Sequence, residues 1–204
     1  MNTVCQDFRL SMTKDNLMRA FAGESQARNR YTFAAEAAHT AKMPMLERVL
    51  MFTAAQEKAH AEIFYDFLCD LSGEEIKVDG GYPINISDNL ADLLKWARDN
   101  EFKEYREVYA DFAKTAEKEG YANIAAKFAL IAEIERCHGE RFQKIVELLG
   151  NGKLFVNDEP LKWMCLNCGH IYLGTKVPDK CPVCAHGYGY FIRAEYAPYN
   201  FGEI

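Results

Sequence analysis

Two short motifs constrain the fold of this chain more than any other feature, because each places charged side chains on a helix face that is otherwise apolar. They are Glu57-x-x-His60 and Glu135-x-x-His138. Both lie in stripes whose members recur every three or four residues, which is typical of a helix packed in a bundle. The stripes are Leu46, Leu50, Thr53, Glu57, His60, Phe64, Phe67 and Leu71, and then Phe128, Ile131, Glu135, His138, Phe142, Ile145 and Leu149.

A bound metal is the simplest explanation for these motifs, since an unpaired carboxylate is costly to bury. Glu and His three residues apart share one helix face and can bind one cation. Two Glu-x-x-His helices, with two further helices that each contribute a Glu, form a di-iron or di-manganese site. Chance occurrence on Glu-rich helices is the alternative interpretation.

Further carboxylates lie on the stripes of two other predicted helices. Glu24 lies on the inward stripe of the first predicted helix, where Arg28 one turn later offers an ion pair as the alternative explanation. Glu101 and Glu104 lie in the middle of the inward stripe of the third predicted helix, which runs from Leu90 to Val108. These residues would complete the metal site.

The order of the helices favours a four-helix bundle. Ser11 or Thr13 can cap the first helix, and Met43-Pro44 separates it from the second, which ends near Leu71. The third helix should run from Ser87 or Asp88 to Gly120, and the fourth should end at Leu149 before Gly150.

Residues 72–87 contain three glycines and a proline but no helical period. An extended segment of this length spans about 50 Å, enough to return along the whole bundle. One long crossover between the second and third helices is the ferritin-like connectivity. A flexible linker is the competing interpretation, and it would permit two subunits to exchange helix pairs.

The last forty residues differ from the rest, with short β-prone runs around two Cys-x-x-Cys pairs. Four thiolates form a tetrahedral metal site, which a module this small needs in order to fold. Either zinc or iron fits such a site, and His170 and His186 are expected at its surface. We therefore expect a bundle over residues 1–149, a linker over 150–161 and a β-rich module over 162–204. Its four ligands are Cys165, Cys168, Cys181 and Cys184.

Net charge, apolar segments and the remaining cysteines limit the partners and the location expected for this protein. A net charge of −6 argues against a nucleic-acid partner. The sequence shows neither a secretory signal nor an apolar run of membrane length, so the cytoplasm is the expected location. Cys5, Cys69 and Cys137 are expected to be reduced thiols without a role at the metal sites.

The motifs together resemble the rubrerythrin family, which joins a ferritin-like di-iron bundle to a C-terminal rubredoxin-like domain. The resemblance covers nearly the whole chain and is most specific at the Glu101-x-x-Glu104 pair. One difference is that Ala185, rather than a glycine, follows the second Cys pair. The motifs are Glu24, Glu57-x-x-His60, Glu101-x-x-Glu104, Glu135-x-x-His138 and the two Cys pairs, in that order.

The resemblance implies a role for each side chain. Glu57 and Glu135 would bridge two irons, Glu24 and Glu101 would each bind one, and His138 would bind one of them. The other iron would move between Glu104 when oxidised and His60 when reduced. Tyr31 and Tyr109 would form hydrogen bonds around the site, with ordinary core packing as the alternative for each.

The activity implied is the reduction of hydrogen peroxide to water in oxidative-stress defence. Electrons would come from an NAD(P)H-dependent reductase or a rubredoxin through a mononuclear iron held by the four cysteines, and zinc could replace iron at either site. We also expect a head-to-tail homodimer, in which each rubredoxin-like domain serves the partner's bundle. The alternatives are a ferroxidase or iron-handling ferritin-like protein, and a helical interaction protein with a structural zinc ribbon.

Overall fold

The computed structural model describes residues 7–198, and its longest elements are antiparallel helices. Ser11 begins α1 (Met12–Thr40) by accepting a hydrogen bond from the Lys14 amide. A tight turn through Lys42, whose φ is 58°, leads into α2 (Pro44–Asp66). The proline at the start of α2 loses no hydrogen bond, because the first amides of a helix have no partner within it. Cys5 lies outside the described residues.

The third rod of the bundle is interrupted, although the sequence predicted one continuous helix. It consists of α3 (Leu90–Lys103), a π-helical turn (Glu104–Val108) and α4 (Tyr109–Lys118). Asn89, rather than Ser87 or Asp88, caps α3 by accepting from the Ala91 amide. The π turn contains one residue more than an α turn, so the buried face moves on by one position. Tyr109 is therefore buried where the sequence predicted Val108.

The fourth rod is α5 (Ala122–Gly150). Between α2 and α3 the chain forms one short 3-10 turn (Cys69–Leu71) and then neither helix nor strand until Leu90. This crossover is fastened to α1, where Arg19 binds Asp79 and the carbonyl of Arg19 accepts from Tyr82. The ferritin-like four-helix bundle with one long crossover is confirmed.

The bundle has an apolar core at each end and a polar layer between them. One core contains Leu46, Leu50 and Phe142. The other contains Phe64 and Phe128. Because both ends are close-packed, the four rods hold the side chains of the middle layer at fixed separations.

The C-terminal part is a small antiparallel sheet of β1 (Val156–Cys165), β2 (Ile171–Lys176) and β3 (Phe191–Arg193), in the order β2-β1-β3. Trp163 is the centre of its core, and its indole N–H donates to the Gly174 carbonyl at 2.9 Å. β1 begins inside the stretch predicted to be a linker, with its pairing to β2 interrupted between Val156 and Leu161. The β-rich module expected from the sequence is confirmed.

The module packs against the end of the bundle where α1 turns into α2. Arg48 donates to the Leu166 carbonyl, and its guanidinium lies 5.7 Å from the centre of the Tyr190 ring. At Gly189 a Cβ atom would lie 2.2 Å from the Lys42 carbonyl oxygen, so this contact requires glycine. In the part of the chain that the structure describes, every helix is too short or too polar to span a bilayer.

Candidate metal centres

The four rods bring the predicted carboxylates and imidazoles together in two overlapping groups. Within each group the donor atoms lie within 4.8 Å of one another, and all of the side chains are buried. The first tetrad is Glu24, Glu57, His60 and Glu135, and the second tetrad is Glu57, Glu101, Glu135 and His138. Two positions for a cation therefore share two carboxylates.

In each tetrad the Nδ1 atom of the histidine lies close to oxygens of both shared carboxylates. His60 Nδ1 lies 2.9 Å from Glu135 Oε1 and 3.4 Å from Glu57 Oε2. His138 Nδ1 lies 2.9 Å from both Glu57 Oε1 and Glu135 Oε2. The two imidazole rings face one another with centroids 5.7 Å apart.

The oxygen atoms of the two tetrads are available to bind two metal ions. Both oxygens of Glu57 and of Glu135 are buried and without a hydrogen-bond partner, as is one oxygen of Glu24 and one of Glu101. Buried groups of this kind are rarely left unpaired in a folded protein. Two divalent cations would balance the charge of four carboxylates, and carboxylate with imidazole suits iron or manganese.

Without metal, the groups must share protons. Burial, followed by the charges of neighbouring glutamates, raises the pKa of Glu24 and Glu101. For Glu57, burial opposes ionisation, but the nearby imidazoles of His138 and His60 outweigh it and lower its pKa to about 2. Burial lowers the pKa of both imidazoles, but their carboxylate partners outweigh it and raise the pKa of His60 to about 9 and that of His138 to about 12.

Two tyrosines contact the carboxylates that the tetrads do not share. The Tyr31 hydroxyl donates to Glu101 Oε1, and the Tyr109 hydroxyl donates to Glu24 Oε1. Each hydrogen bond leaves the second carboxylate oxygen unpartnered for a metal. Both tyrosines thus have a contact at the site beyond core packing.

Glu104 lies outside both tetrads, on the wall of a cavity of about 410 Å³ that Tyr109 also lines. It is half-buried, and its pKa is raised to about 8, first by burial and then by the charges of Glu135 and Glu57. His60, rather than Glu104, accompanies the carboxylates of the first tetrad in this structure.

The ion pair considered for Glu24 is not formed. Arg28 is exposed, and Ala27 takes the inward position on this turn of α1. From Glu24 the buried face of α1 steps by three residues to Ala27, whereas the predicted stripe stepped by four residues to Arg28.

Two residues that the sequence analysis missed orient His138. Arg141 Nη1 donates to Gln56 Oε1 at 3.2 Å, so this oxygen can only accept from His138 Nε2, 3.1 Å away. The contact keeps the ring proton on Nε2 and leaves Nδ1 for a metal. A possible signal was that Gln56 directly precedes Glu57 and Arg141 follows His138 by three positions.

The four cysteine sulfurs form a separate cluster in the module. The Cys165–Cys184 and Cys168–Cys181 sulfur distances are both 3.7 Å. A tetrahedral ion with metal–sulfur bonds of about 2.3 Å requires sulfurs about 3.8 Å apart, so the cluster fits such an ion.

Each Cys pair forms a knuckle whose last residue has a left-handed backbone conformation. These residues are Gly169, with φ of 76°, and Ala185, with φ of 60°. The imidazole of His186 contacts the backbone carbonyl of Cys184 and is not a ligand. Cys69 and Cys137 are exposed and outside both clusters.

Comparison with known proteins agrees with this geometry. The sequence profile of the family described as Rubrerythrin matches residues 15–146, and that of the rubredoxin-like domain of rubrerythrin matches residues 163–192. The chain is 40% identical over 180 residues to the rubrerythrin of Clostridium perfringens, covering 88% of this chain and 92% of the relative. For the rubrerythrin of Porphyromonas gingivalis the identity is 40% over 181 residues, with 89% of each chain covered.

Solved structures show the same architecture. The fully reduced, all-ferrous state of nigerythrin superposes with a TM-score of 0.61 at 25% identity and covers 95% of this chain and 91% of its own. A bacterioferritin from Desulfovibrio desulfuricans shares the bundle fold with a TM-score of 0.55 at 20% identity, covering 69% of this chain and 85% of its own. The carboxylates and imidazoles form a di-iron site and the four cysteines a rubredoxin-like iron site. This chain belongs to the rubrerythrin family of oxidoreductases.

Proposed function

We propose that this protein reduces hydrogen peroxide to water, as part of oxidative-stress defence. The observation that carries the proposal is a pair of buried tetrads sharing Glu57 and Glu135, with a further carboxylate, Glu104, beside them on a cavity wall. The reaction consumes two electrons and two protons for each peroxide and gives two water molecules. The metal pair, when bound, supplies the two electrons.

In this proposal each carboxylate and imidazole of the bundle has a role at the metal pair. Glu57 and Glu135 would hold both metal ions, Glu24 would hold the ion at the first position, and Glu101 and His138 would hold the ion at the second. His60 and Glu104 are alternative ligands to the first position. The charge of Glu104 suits the more positive oxidised state, and the imidazole of His60 suits the ferrous state.

Tyr31 and Tyr109 have a positioning role in this proposal. Burial raises the pKa of each phenol first, and the charge of its carboxylate partner raises it further. Both hydroxyls therefore keep their protons at any physiological pH. Each holds one oxygen of its carboxylate in place and directs the other towards the metal.

Electrons would reach the bundle through the four-cysteine iron from an NAD(P)H-dependent reductase or a rubredoxin. We propose a head-to-tail homodimer in which each module serves the partner's bundle. A route within one chain is the competing possibility, because the module contacts Arg48 of its own α2. Glu57 lies nine residues beyond Arg48, a rise of about 14 Å along the helix.

The proposed activity can be tested by rapid mixing. Protein loaded with iron and reduced without oxygen is mixed with hydrogen peroxide or, in parallel, with dioxygen, while the absorbance of both iron centres is followed. We expect peroxide to oxidise both centres rapidly and dioxygen to act slowly. Slow oxidation by peroxide with fast oxidation by dioxygen would favour an iron-oxidising protein instead, and light scattering would then detect the large shell of a storage protein.

A further inference from the structure

The two metal positions of the bundle have matching ligand sets. Each tetrad contains the shared Glu57 and Glu135, one further glutamate and one histidine. Each further glutamate also accepts a hydrogen bond from a tyrosine. The Nδ1 atom of each histidine lies 2.9 Å from an oxygen of Glu135. The support of the two histidine rings, by contrast, differs between the positions.

The ring of His138 is held at both of its nitrogens. Its Nδ1 atom lies among the carboxylates, and its Nε2 atom lies 3.1 Å from Gln56 Oε1. The same oxygen accepts from Arg141 Nη1, which also donates to Thr53 Oγ1 at 2.8 Å. Because the guanidinium can only donate, the amide of Gln56 cannot turn over without losing this contact. We call Gln56 and Arg141 the clamp of His138.

The ring of His60 has no clamp. Its side chain is buried, yet among the residues that the structure describes no hydrogen bond reaches its Nε2 atom. The sequence explains this difference. Gln56 directly precedes the Glu-x-x-His motif of α2, and Ile134 takes that place before the motif of α5. Arg141 follows the motif of α5 by three residues, and Ile63 takes that place after the motif of α2. Neither isoleucine side chain can form a hydrogen bond.

Support of the outer ring nitrogen matters for metal binding. A hydrogen bond there fixes the orientation and the tautomer of the ring, and its loss typically lowers metal affinity by about 10- to 100-fold. The clamp gives this support to the ligand of the second tetrad. When the metal bond of His60 breaks, no hydrogen bond on its outer nitrogen keeps the ring in place.

We infer that Gln56 is a positioning residue for the metal pair. The clamp keeps the ion of the second tetrad fixed, whereas the ion of the first tetrad can exchange its imidazole for another ligand. The inference deepens the proposed function, because it rests on the assignment of His60 and Glu104 as alternative ligands. It gives the physical reason why the exchange takes place at the first position and not at the second.

Zinc binding in crystals tests the inference without turnover. Crystals of the full chain are equilibrated with zinc at free concentrations set by a chelator, and anomalous density gives the occupancy of each position. We expect the second tetrad of the wild type to fill at lower free zinc than the first. Gln56→Leu keeps the volume and the charge but removes the acceptor. It should raise the half-filling concentration of the second tetrad by about 10- to 100-fold and that of the first much less.

Two further variants separate the acceptor from packing. Gln56→Glu keeps an oxygen acceptor for the clamp, so its second tetrad should bind zinc at least as tightly as that of the wild type. Gln143→Leu makes the same change on α5 at a side chain that accepts from Arg98 and contacts no residue of the tetrads. It is the matched control and should bind zinc as the wild type does.

The order of filling in the wild type tests the inference even if Gln56→Leu fails to fold. Equal filling of both positions, or filling of the first tetrad before the second, would overturn it. So would an unchanged second tetrad in Gln56→Leu, an equal loss at both positions, or a Gln56→Glu variant that behaves as Gln56→Leu. None of these results concerns the oxidation of the reduced protein by peroxide, so the proposed function stands or falls separately in the rapid-mixing experiment.

Discussion

At the scale of single residues, protons and metal ions compete for the same nitrogen atoms. His60 and His138 each direct Nδ1 at the shared carboxylates. In metal-free protein these imidazoles carry protons at neutral pH, because their pKa values are raised to about 9 and about 12. A metal binds only the neutral ring, so loading must release protons.

We therefore predict that metal affinity at the bundle site rises with pH. Below pH 9 His60 is protonated in the metal-free protein, so the apparent affinity for ferrous ion or zinc should fall as the pH decreases from 9 to 6. Calorimetric titration at pH 7, in buffers of different ionisation enthalpy and with the thiolate site already filled, should show about two or more protons released per chain. Heats that are independent of the buffer would contradict this prediction.

The two knuckles provide a matched pair of single-residue tests. Ala185 has φ of 60°, a conformation that costs a residue with a Cβ atom about 1 kcal/mol relative to glycine. Ala185→Gly should raise the free energy of unfolding of the zinc-loaded protein by up to about 1 kcal/mol. Gly169→Ala should lower it by about as much, since a Cβ there meets no atom within 4 Å and the strain acts alone. Denaturant titration that finds Ala185→Gly destabilising would contradict the strain argument.

At the scale of elements, the sequence predicts most of the site residues. It does not predict the interruption of the third rod, on which Glu101 and Glu104 lie. Glu57, His60, Glu135 and His138 could be predicted because polar residues are conspicuous in an apolar stripe. The π turn at Glu104–Val108 could not, because a one-residue shift of phase leaves no compositional mark. Gln56 and Arg141 were missed for a related reason: they lie beside the stripes, where polar residues are ordinary.

Close contact between α3 and α5 sets the separation of Glu101 and His138. At Gly139 an added Cβ atom would lie 2.7 Å from Phe102 Cδ1 and Cε1. Gly139→Ala should therefore destabilise the protein by about 1–3 kcal/mol, because the ring must move in a close-packed interface. Gly150→Ala, where no atom lies within 4 Å, is the control and should change stability little. Thermal or denaturant unfolding measures both, and equal effects of the two substitutions would contradict this account of the interface.

At the scale of the whole molecule, the contacts within one chain and the proposed dimer place the module beside different bundles. The contacts of Arg48 and Gly189 hold the module against its own bundle. The proposed dimer instead brings the thiolate iron to the partner's metal pair. Several large apolar side chains remain exposed on this chain and provide surface that a partner can cover, including Phe33, Phe52, Leu130 and Leu173.

Mixed dimers distinguish the two routes. One subunit carries Glu57→Ala and so lacks a working bundle site, while the other carries Cys168→Ser and Cys184→Ser and lacks the thiolate iron. The head-to-tail arrangement predicts about half of the wild-type peroxidase rate per dimer, since one intact module then faces one intact bundle. An inactive mixed dimer, or a fully active monomer, would contradict that arrangement.

The number of iron ions per chain tests most directly whether the buried carboxylates and imidazoles exist to hold metal. Protein loaded with ferrous ion under anaerobic conditions and freed of excess metal is analysed for iron and for protein. The account predicts a value approaching three per chain, and a value near two in the Cys168→Ser, Cys184→Ser variant. A wild-type value near one, with all of the iron in the thiolate site, would contradict it.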